Sequence, residues 1–362
     1  MTEGGNKMKF IHCSDIHLDS RMERNLTAAQ ARERNAEICL TFARMAKFAS
    51  DQGVKAVIIA GDLFDTERAT ARTAGFVVDT IRNTPDVDFL YLRGNHDATC
   101  FGEMELPENL KTFGSSWTCY HYENVIVAGM DMEREKWESC YEELTLPEET
   151  VNIVTLHGQI STQSGEEMIA LPKLKRKYID YLALGHIHAC QTGKLDDRGL
   201  WCYCGCLEGR GFDETGAKGF VLLDVENGRV KQEFVPFARR TLEEVSVDIT
   251  DLTTVTQILA AAEAAVGEIS PDSLVKLTLA GSYTLETQKD LPFLTKMLEG
   301  KFYFLKIKDE SRLKIEKETY AYDASLKGEF IRLVMASERT EEEKEQIICW
   351  GIRALSGEEV DL

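Results

Sequence analysis

Five short polar motifs distinguish this chain of 362 residues, because each brings histidine, aspartate or asparagine together with glycine or serine. They are SDIH at 14–17, GDLFD at 61–65, GNHD at 94–97, HG at 157–158 and GHIH at 185–188. Five of the seven histidines of the chain lie in these motifs. Imidazole, carboxylate and amide groups make a mixed nitrogen and oxygen ligand set, which suits manganese, iron or zinc and suits a thiolate cluster poorly.

Each motif directly follows an apolar run rich in Val, Ile and Leu, which is typical of a buried β-strand. The predicted strands are 9–13, 54–60, 88–92, 124–128, 151–156 and 179–184. Amphipathic stretches separate the first of these runs, and the capping box formed by Thr27 and Gln30 predicts the start of a helix. In α/β sheets, ligand sites collect at the carboxyl ends of the strands, so we expect the five motifs to meet in one place.

The pattern of the chain changes towards its second half. Alternating segments at 201–206, 220–225 and 230–235 predict a closing antiparallel section, and 236–240 is the candidate hinge. A mixture of strand and helix patterns follows, and a second capping box at Thr340 predicts an amphipathic helix near the end. We therefore predict a first domain at 1–238, a small α+β cap domain at 239–320 and a helical segment at 321–362.

The ligand set of the motifs points to hydrolysis of phosphoesters. Two divalent metal ions about 3.5–4 Å apart stabilise both the attacking hydroxide and the charged phosphoryl oxygens. One carboxylate must bridge such a pair, and Asp62 is the expected bridge because it follows Gly61 midway along the series. The alternative is that all five motifs are ordinary turns. Five motifs in order, each after a predicted strand, favour the metal centre.

The sequences D-x-H, GDxxD, GNHD, His-Gly and GHxH resemble the motifs of the calcineurin-like metallophosphoesterase superfamily, over residues 8–235. The ending LGHIH at 184–188 and the module after the hinge resemble more narrowly the SbcD-like bacterial DNA repair exonucleases. The resemblance implies an α/β fold, a layered metallophosphoesterase sandwich with central β-sheets flanked by helices. A small α+β cap domain and a C-terminal helix would follow the nuclease domain.

The resemblance also implies roles for the motif residues. His96 matches the catalytic histidine that contacts the scissile phosphate and protonates the leaving oxygen, and Asp97 would orient its imidazole. The nucleophile would be water bound to the metals, so no serine or cysteine nucleophile is needed. Manganese is the expected metal, with iron or zinc as alternatives. One metal would be held by Asp15, His17, Asp62 and His188, and the other by Asp62, Asn95, His157 and His186.

The expected partners follow mainly from the same resemblance. Family members act on DNA and assemble with an SMC-like ABC-type ATPase, and we consider a homodimer as well. No membrane association is expected, because the longest apolar runs, such as 54–60, are far shorter than a membrane span. The leader at 1–9 has no apolar core of a signal peptide, so we expect a cytoplasmic protein with reduced cysteines.

The charge of the chain argues against binding of nucleic acid by bulk attraction. With 42 basic and 61 acidic residues the net charge is −19, so a phosphate-bearing substrate must be attracted locally. Two stretches are rich in lysine and arginine, at 173–177 and at 301–317, and the second also contains aromatic residues. These stretches could contact DNA, but basic runs are more often solvated surfaces.

Several further residues have two interpretations each. Asp65 is either a partner of a metal ligand or the N-cap of the next helix, and Arg93 and Arg21 are either phosphate contacts or surface residues. Cys202, Cys204 and Cys206 have the spacing of one strand face, which favours core packing over zinc binding. The C-terminal amphipathic helix packs either on a partner or on its own chain.

Three functions are compatible with these observations. The first is exonucleolytic and endonucleolytic hydrolysis of DNA in repair, in which the DNA substrate is implied by the resemblance. A small-molecule phosphoesterase acting on nucleotides or cyclic nucleotides is the second, and for it the negative charge is no obstacle. The third is a scaffold that binds DNA ends and has little catalysis, although every expected ligand position is filled.

Overall fold

The computed structural model describes residues 7–22, 26–65, 69–97, 101–131, 139–163, 165, 167–314 and 320–355. The chain divides into two compact units, Met1–Leu242 and Glu243–Leu362. Each unit is a mixture of helices and strands with its own buried core. Within the described ranges, no helix combines the length and the apolar character needed to cross a lipid bilayer.

The first unit contains two six-stranded sheets. The first sheet has the order β14-β13-β1-β2-β3-β4, in which β1 to β4 are parallel and β13 and β14 are antiparallel to their neighbours. Its strands are β1 (Met8–Cys13), β2 (Ala56–Ala60), β3 (Asp88–Leu92), β4 (Leu110–Thr112), β13 (Gly219–Glu226) and β14 (Arg229–Pro236).

The second sheet has the order β11-β12-β10-β7-β6-β5, in which the four central strands are parallel and the two edges antiparallel. Its strands are β5 (Thr118–Tyr122), β6 (Val125–Gly129), β7 (Val151–His157), β10 (Tyr181–Gly185), β11 (Gln191–Lys194) and β12 (Leu200–Tyr203). A short parallel ribbon joins β8 (Gln159–Ser161) to β9 (Met168–Ala170).

Apolar packing holds the layers of this unit together. Phe10 and Ile58 of the first sheet share one buried cluster with Val127 and Ile153 of the second. Such side chains contribute about 1.5–3 kcal/mol each when fully buried. The helices are α1 (Ala28–Asp51), α2 (Ala71–Arg82), α3 (Cys140–Glu143) and α4 (Leu171–Leu174). The expected sandwich of sheets flanked by helices is therefore confirmed.

Two local predictions can be compared with the structure. The capping box before α1 is confirmed, since the Thr27 side chain accepts from the Gln30 amide and the Gln30 side chain from the Thr27 amide. The strand predicted at 201–206 is too long, because β12 ends at Tyr203 and Gly205 has a left-handed backbone with φ of 77°. The chain leaves the sheet at that glycine and begins the loop that leads to β13.

The second unit has a three-stranded sheet with the order β15-β16-β18 and a two-stranded ribbon of β17 and β19. Ile258 and Leu294, from two of its helices, pack on Leu277 of the sheet. Ile331 and Ile348 of the last two helices pack on each other. The elements are β15 (Leu242–Asp248), α5 (Val255–Val266), β16 (Leu274–Ala280), β17 (Ser282–Tyr283), α6 (Leu291–Leu298), β18 (Phe304–Asp309), β19 (Arg312–Leu313), α7 (Leu326–Met335) and α8 (Glu341–Leu355).

A buried ion network anchors α1 to the loop between β12 and β13. Arg34 has no exposed surface and donates to the Glu208 carboxylate at 3.2 Å and to the Gly209 carbonyl at 2.9 Å. Arg34 also pairs with Glu37, whose carboxylate lies 2.7 Å from the Arg240 guanidinium. The last residue of the candidate hinge at 236–240 is thus bound to α1.

Replacement of Arg34 by methionine should destabilise the first unit by about 3–5 kcal/mol, because it leaves buried carboxylates without their cation. Arg32→Met is the matched control, since Arg32 is an exposed residue of the same helix. Urea unfolding followed by circular dichroism measures both variants. Equal midpoints for the two variants would show that the network does not hold the loop.

Candidate metal centre

The first two motifs are fastened to each other by their backbones. The amide of Asp15 donates to the Gly61 carbonyl at 3.0 Å, and that of His17 donates to the Asp62 carbonyl at 3.0 Å. Asp15, His17 and Asp62 have φ values of 50°, 49° and 51°, a left-handed conformation that residues other than glycine rarely adopt. This conformation has an energetic cost, and such strain concentrates at functional sites.

Glycine is required where the ends of the two sheets approach each other. A Cβ atom on Gly185, at the end of β10, would lie 1.9 Å from the Ala60 carbonyl at the end of β2. A Cβ atom on Gly61 would lie 2.1 Å from Nδ1 of His157, at the end of β7. The glycines therefore allow the carboxyl ends of both sheets to meet, which brings the motifs together.

Two histidines from distant motifs face each other in one half of the site. Nε2 of His17 lies 3.2 Å from Nε2 of His188, and the latter lies 3.7 Å from the Asp15 carboxylate. One ligand atom from each of these three residues lies within 4.8 Å of the other two. Asp15 is fully buried, and its carboxylate accepts the His186 amide at 3.0 Å and the Ser14 hydroxyl at 2.5 Å.

The outer nitrogens of both imidazoles bind carboxylates. Nδ1 of His17 lies 2.9 Å from Asp65, and Nδ1 of His188 lies 2.7 Å from Glu214. The contact between Nδ1 of His188 and Glu214 is a hydrogen bond in which Nδ1 donates, so Nε2 of His188 presents a lone pair to the site. The Asp65 carboxylate beside Nδ1 of His17 favours the same tautomer there. Two nitrogens bound to one ion at about 2.0–2.1 Å would lie about 3 Å apart as adjacent ligands, close to the separation seen here.

The other half of the site joins the second, third and fourth motifs. His157 donates through Nδ1 to the Ala60 carbonyl at 2.9 Å, so in the neutral imidazole its Nε2 is the acceptor that faces the site. That nitrogen lies 2.9 Å from the Asn95 side-chain oxygen and 3.3 Å from the Asp62 carboxylate. The same Asp62 oxygen lies 3.8 Å from Nε2 of His17. Asp62 is thus placed between the two halves.

The acid–base properties of this half follow from its geometry. Burial alone would raise the pKa of Asp62, but its contact with His157, the nearby His17 and the His96 amide together lower that pKa. Burial opposes a charge on His157, yet the Asp62 carboxylate raises the pKa of this imidazole to about 9. The cluster thus has an excess of negative charge that favours a bound proton or a bound cation.

Three acceptor atoms meeting at the end of β7 fit a metal ion. An imidazole nitrogen, an amide oxygen and a carboxylate oxygen are ligands of the kind that manganese, iron and zinc accept. Sets suited to a metal among the described residues combine Asp15 with His17 and His188, and Asp15 with Asp62 and His157. Cysteines are absent from both sets, in agreement with core packing of Cys202 and Cys204 between the sheets.

His186 lies beside this second set. Its ring centroid is 5.5 Å from that of His157, with the two rings nearly perpendicular. Burial and the charge of His157 lower the pKa of His186, so the neutral imidazole is favoured. The neutral form is the one that binds metal ions, and its assignment as a ligand stays a prediction.

His96 and Asp97 occupy different environments. The His96 side chain is exposed, its ring centroid is 5.4 Å from that of His17, and its amide donates to the Asp62 carboxylate at 3.1 Å. Asp97 is fully buried and accepts the amides of Leu63, Phe64 and Gly94 at 3.1, 2.9 and 3.1 Å. Asp97 therefore ties the GNHD loop to the loop that carries Asp62.

The structure decides between the two interpretations of Asp65 and places Arg93 and Arg21 without testing a phosphate contact. Asp65 contacts His17, and the N-cap of α2 is Thr70, so the N-cap interpretation of Asp65 is wrong. Arg93 donates through Nε to Asp131 at 2.7 Å. Arg21 is exposed.

The basic run at 173–177 contributes contacts to its own unit. The Lys173 ammonium lies 5.5 Å from the centre of the Tyr141 ring, and Lys177 donates to the Leu144 carbonyl at 3.1 Å. The run leads to Tyr181, the first residue of β10, whereas His186 and His188 follow the end of that strand. The second basic stretch is in the other unit.

Two residues of the site escaped the sequence analysis. Glu214 contacts His188, and Arg210 contacts both Glu214 and Asp65. Both belong to the long loop after β12, a strand parallel to β10 whose carboxyl end lies at the same edge. The sequence signal for these residues was that their loop follows the carboxyl end of β12, at the same edge of the sheet as the motifs. Glu214 lies too far along this loop for a motif directly after the strand to predict its position.

Asp62→Asn should lower the affinity for Mn²⁺ at least tenfold, because it removes the charge placed between the two halves. Asp79→Asn, on the exposed face of α2, should bind Mn²⁺ as the unchanged protein does, with two ions per chain. Isothermal titration calorimetry after treatment with EDTA measures both variants. Equal affinities would contradict a bridging role for Asp62.

Several known proteins are similar in sequence to this chain. The uncharacterized metallophosphoesterase YhaO of Bacillus subtilis (strain 168) is 25% identical over 299 residues, which cover 76% of this chain and 69% of that protein. The DNA double-strand break repair protein Mre11 of Sulfolobus acidocaldarius is 27% identical over 220 residues, or 53% of each chain. Mre11 of Saccharolobus solfataricus is 25% identical over 238 residues, or 60% of each chain.

The chain thus spans between about half and two thirds of the length of these relatives. The family model described as calcineurin-like phosphoesterase matches residues 8–190, which contain all five motifs and half of the chain. On this match, and with two α/β sheets whose ends carry the candidate metal ligands, the chain belongs to the calcineurin-like phosphoesterase family.

Proposed function

We propose that this protein is a two-metal-dependent phosphodiester hydrolase that acts on DNA in repair, as an exonuclease and also as an endonuclease. The observation that carries the proposal is the cluster of acceptor atoms at the carboxyl ends of the two sheets. Nε2 of His17 and His188, 3.2 Å apart, form one side of it. Nε2 of His157 and the Asn95 oxygen, 2.9 Å apart, form the other.

Asp15, His17, Asp62 and His188 would hold one ion, and Asp62, Asn95, His157 and His186 the other. When bound, such ions polarise a phosphoryl oxygen and lower the pKa of water to near neutrality. Glu214 accepts the proton on Nδ1 of His188, and Asp65, 2.9 Å from Nδ1 of His17, favours the same tautomer there, so that Nε2 of each histidine can accept. Asp97 holds two site loops at a fixed separation through three amides.

His96 is the candidate general acid. Its exposed imidazole can meet a substrate, while its amide is held by Asp62. In the proposed reaction, water attacks phosphorus and loses a proton to solvent, the P–O bond to the leaving group breaks, and protonated His96 gives its proton to the departing oxygen. The products are a hydroxyl-ended strand and a phosphate-ended nucleotide. The imidazole then takes a proton from solvent before the next cycle.

The similarity of the chain to its relatives supports a DNA substrate, whereas the negative net charge of the chain argues against it. Two of the relatives described above are named as DNA double-strand break repair proteins. A net charge of −19 and the internal contacts of Lys173 and Lys177 favour instead a second candidate, a small-molecule phosphoesterase. The ATPase partner, the homodimer and the cytoplasmic location belong to the DNA proposal and stay predictions.

With Mn²⁺ present, the protein should degrade linear duplex DNA as well as bis-p-nitrophenyl phosphate. His96→Gln should lower turnover of DNA by about 10²–10⁴-fold without loss of bound Mn²⁺, since it removes the proton donor and no metal ligand. His121→Gln is the matched control, because His121 is an exposed histidine of β5. Rates are measured with end-labelled duplex, single strand and the small ester.

Each remaining outcome points to a different function. Hydrolysis of the small ester without hydrolysis of either DNA would make the chain a small-molecule phosphoesterase. Tight binding of duplex ends without hydrolysis of any ester would make it a scaffold. Unchanged turnover in His96→Gln would contradict the role of His96 as the acid.

A further inference from the structure

We propose that Arg210 is a positioning residue that sets the separation of the two facing imidazoles, His17 and His188, through the carboxylates that hold them. The inference rests on the proposed metal centre and deepens it. Neither the motifs nor the resemblance assigned a role to Arg210. In the structure, this side chain reaches both carboxylates from the loop between β12 and β13.

The contacts of Arg210 form a fork. Its Nη1 donates to Oδ1 of Asp65 at 2.8 Å, and its Nη2 donates to Oε1 of Glu214 at 2.7 Å. Its Nε lies 3.2 Å from the same Glu214 oxygen, and its backbone amide donates to the other one at 2.8 Å. The Arg210 side chain is only 17% exposed, so water competes little for these bonds.

The two oxygens that Arg210 holds are the same two that hold the imidazoles. Oδ1 of Asp65 also lies 2.9 Å from Nδ1 of His17, and Oε1 of Glu214 also lies 2.7 Å from Nδ1 of His188. A guanidinium group is planar, and its donors have fixed spacing. The fork therefore sets the distance between the two oxygens, and the oxygens set the orientation of the two rings.

The positive charge of Arg210 also helps to keep the imidazoles of His17 and His188 close together. Asp65 and Glu214 are two carboxylates close to one guanidinium, and the Glu214 side chain is only 6% exposed. Without the cation between them, the two carboxylates would repel each other and their histidines would separate. Lysine would supply the charge but not the two-pronged geometry, so the conservative variant separates the two effects.

The loop that carries Arg210 has its own anchor. Arg34 of α1 donates to the carbonyl of Gly209, the residue before Arg210, and to Glu208. The fork is therefore attached to a helix of the first unit as well as to the two site carboxylates. A positioning residue acts well only when its own support is rigid, and this attachment supplies that support.

The test compares Arg210→Gln and Arg210→Lys with Arg198→Gln. Arg198 is the matched control, because it also makes a two-pronged contact, with Asp180 at 3.0 and 2.9 Å, but next to the start of β12. Mn²⁺ binding is titrated by calorimetry and by the electron paramagnetic resonance signal of free Mn²⁺. Thermal unfolding in EDTA reports the structural cost of each change without metal.

We expect Arg210→Gln to lose about 10–100-fold in affinity for one of the two ions and to keep the other. Arg210→Lys should recover part of that loss, and Arg198→Gln should bind both ions normally despite a similar loss of thermal stability. The kcat for bis-p-nitrophenyl phosphate should fall in Arg210→Gln with little change in KM, since substrate contacts are intact.

Normal binding of both ions by Arg210→Gln would overturn the inference, as would an equal weakening of both ions in Arg210→Gln and Arg198→Gln. Failure of the proposed function gives a different result. In that case the unchanged protein binds two Mn²⁺ ions but hydrolyses no phosphodiester, and the affinities still decide the role of Arg210. Absence of Mn²⁺ binding by the unchanged protein would overturn both.

Discussion

Repulsion between acceptor atoms is the constraint on which the rest of the site depends. Nε2 of His17 and His188 point at each other, and Nε2 of His157 points at the Asn95 oxygen, at distances of 3.2 and 2.9 Å. Lone pairs at these separations repel unless a cation or a proton lies between them. A protein that holds them together without a compensating charge loses stability, so the arrangement is understandable as a binding site for cations.

The packing of the fold holds these acceptor atoms together in spite of their repulsion. Parallel strands from two sheets end at the site, and glycines such as Gly185 allow the sheet ends to approach closely. Left-handed residues such as Asp62 turn side chains back towards the centre, at an energetic cost that the surrounding core offsets. Asp65 and Glu214 favour one tautomer of the imidazoles of His17 and His188, and Arg210 holds these two carboxylates together.

Sequence reasoning reached those parts of this arrangement that depend on local pattern. Apolar runs predicted β1, β2, β3, β7 and β10, because buried parallel strands are continuous runs of Val, Ile and Leu. The motifs after those strands gave the residues that meet in space. The end of β12 was missed, since the alternation at 201–206 hid the effect of the left-handed Gly205.

The partners of the ligands could not be predicted in the same way. Glu214 and Arg210 come from a long loop, and only the tertiary structure brings that loop beside His188. The role of Asp97 in orienting His96 stays a prediction, whereas the backbone amides of two loops that Asp97 accepts could not be predicted from the sequence. A short polar side chain has several possible hydrogen-bond partners nearby. Which of them it contacts depends on tertiary packing, which a single sequence does not reveal.

The most direct measurement is anomalous diffraction at the manganese absorption edge from crystals soaked in Mn²⁺. Two peaks are predicted, one beside Nε2 of His17 and His188 and the other beside Nε2 of His157 and the Asn95 oxygen. A map without peaks at these atoms, or with manganese bound only elsewhere, would contradict the binuclear centre.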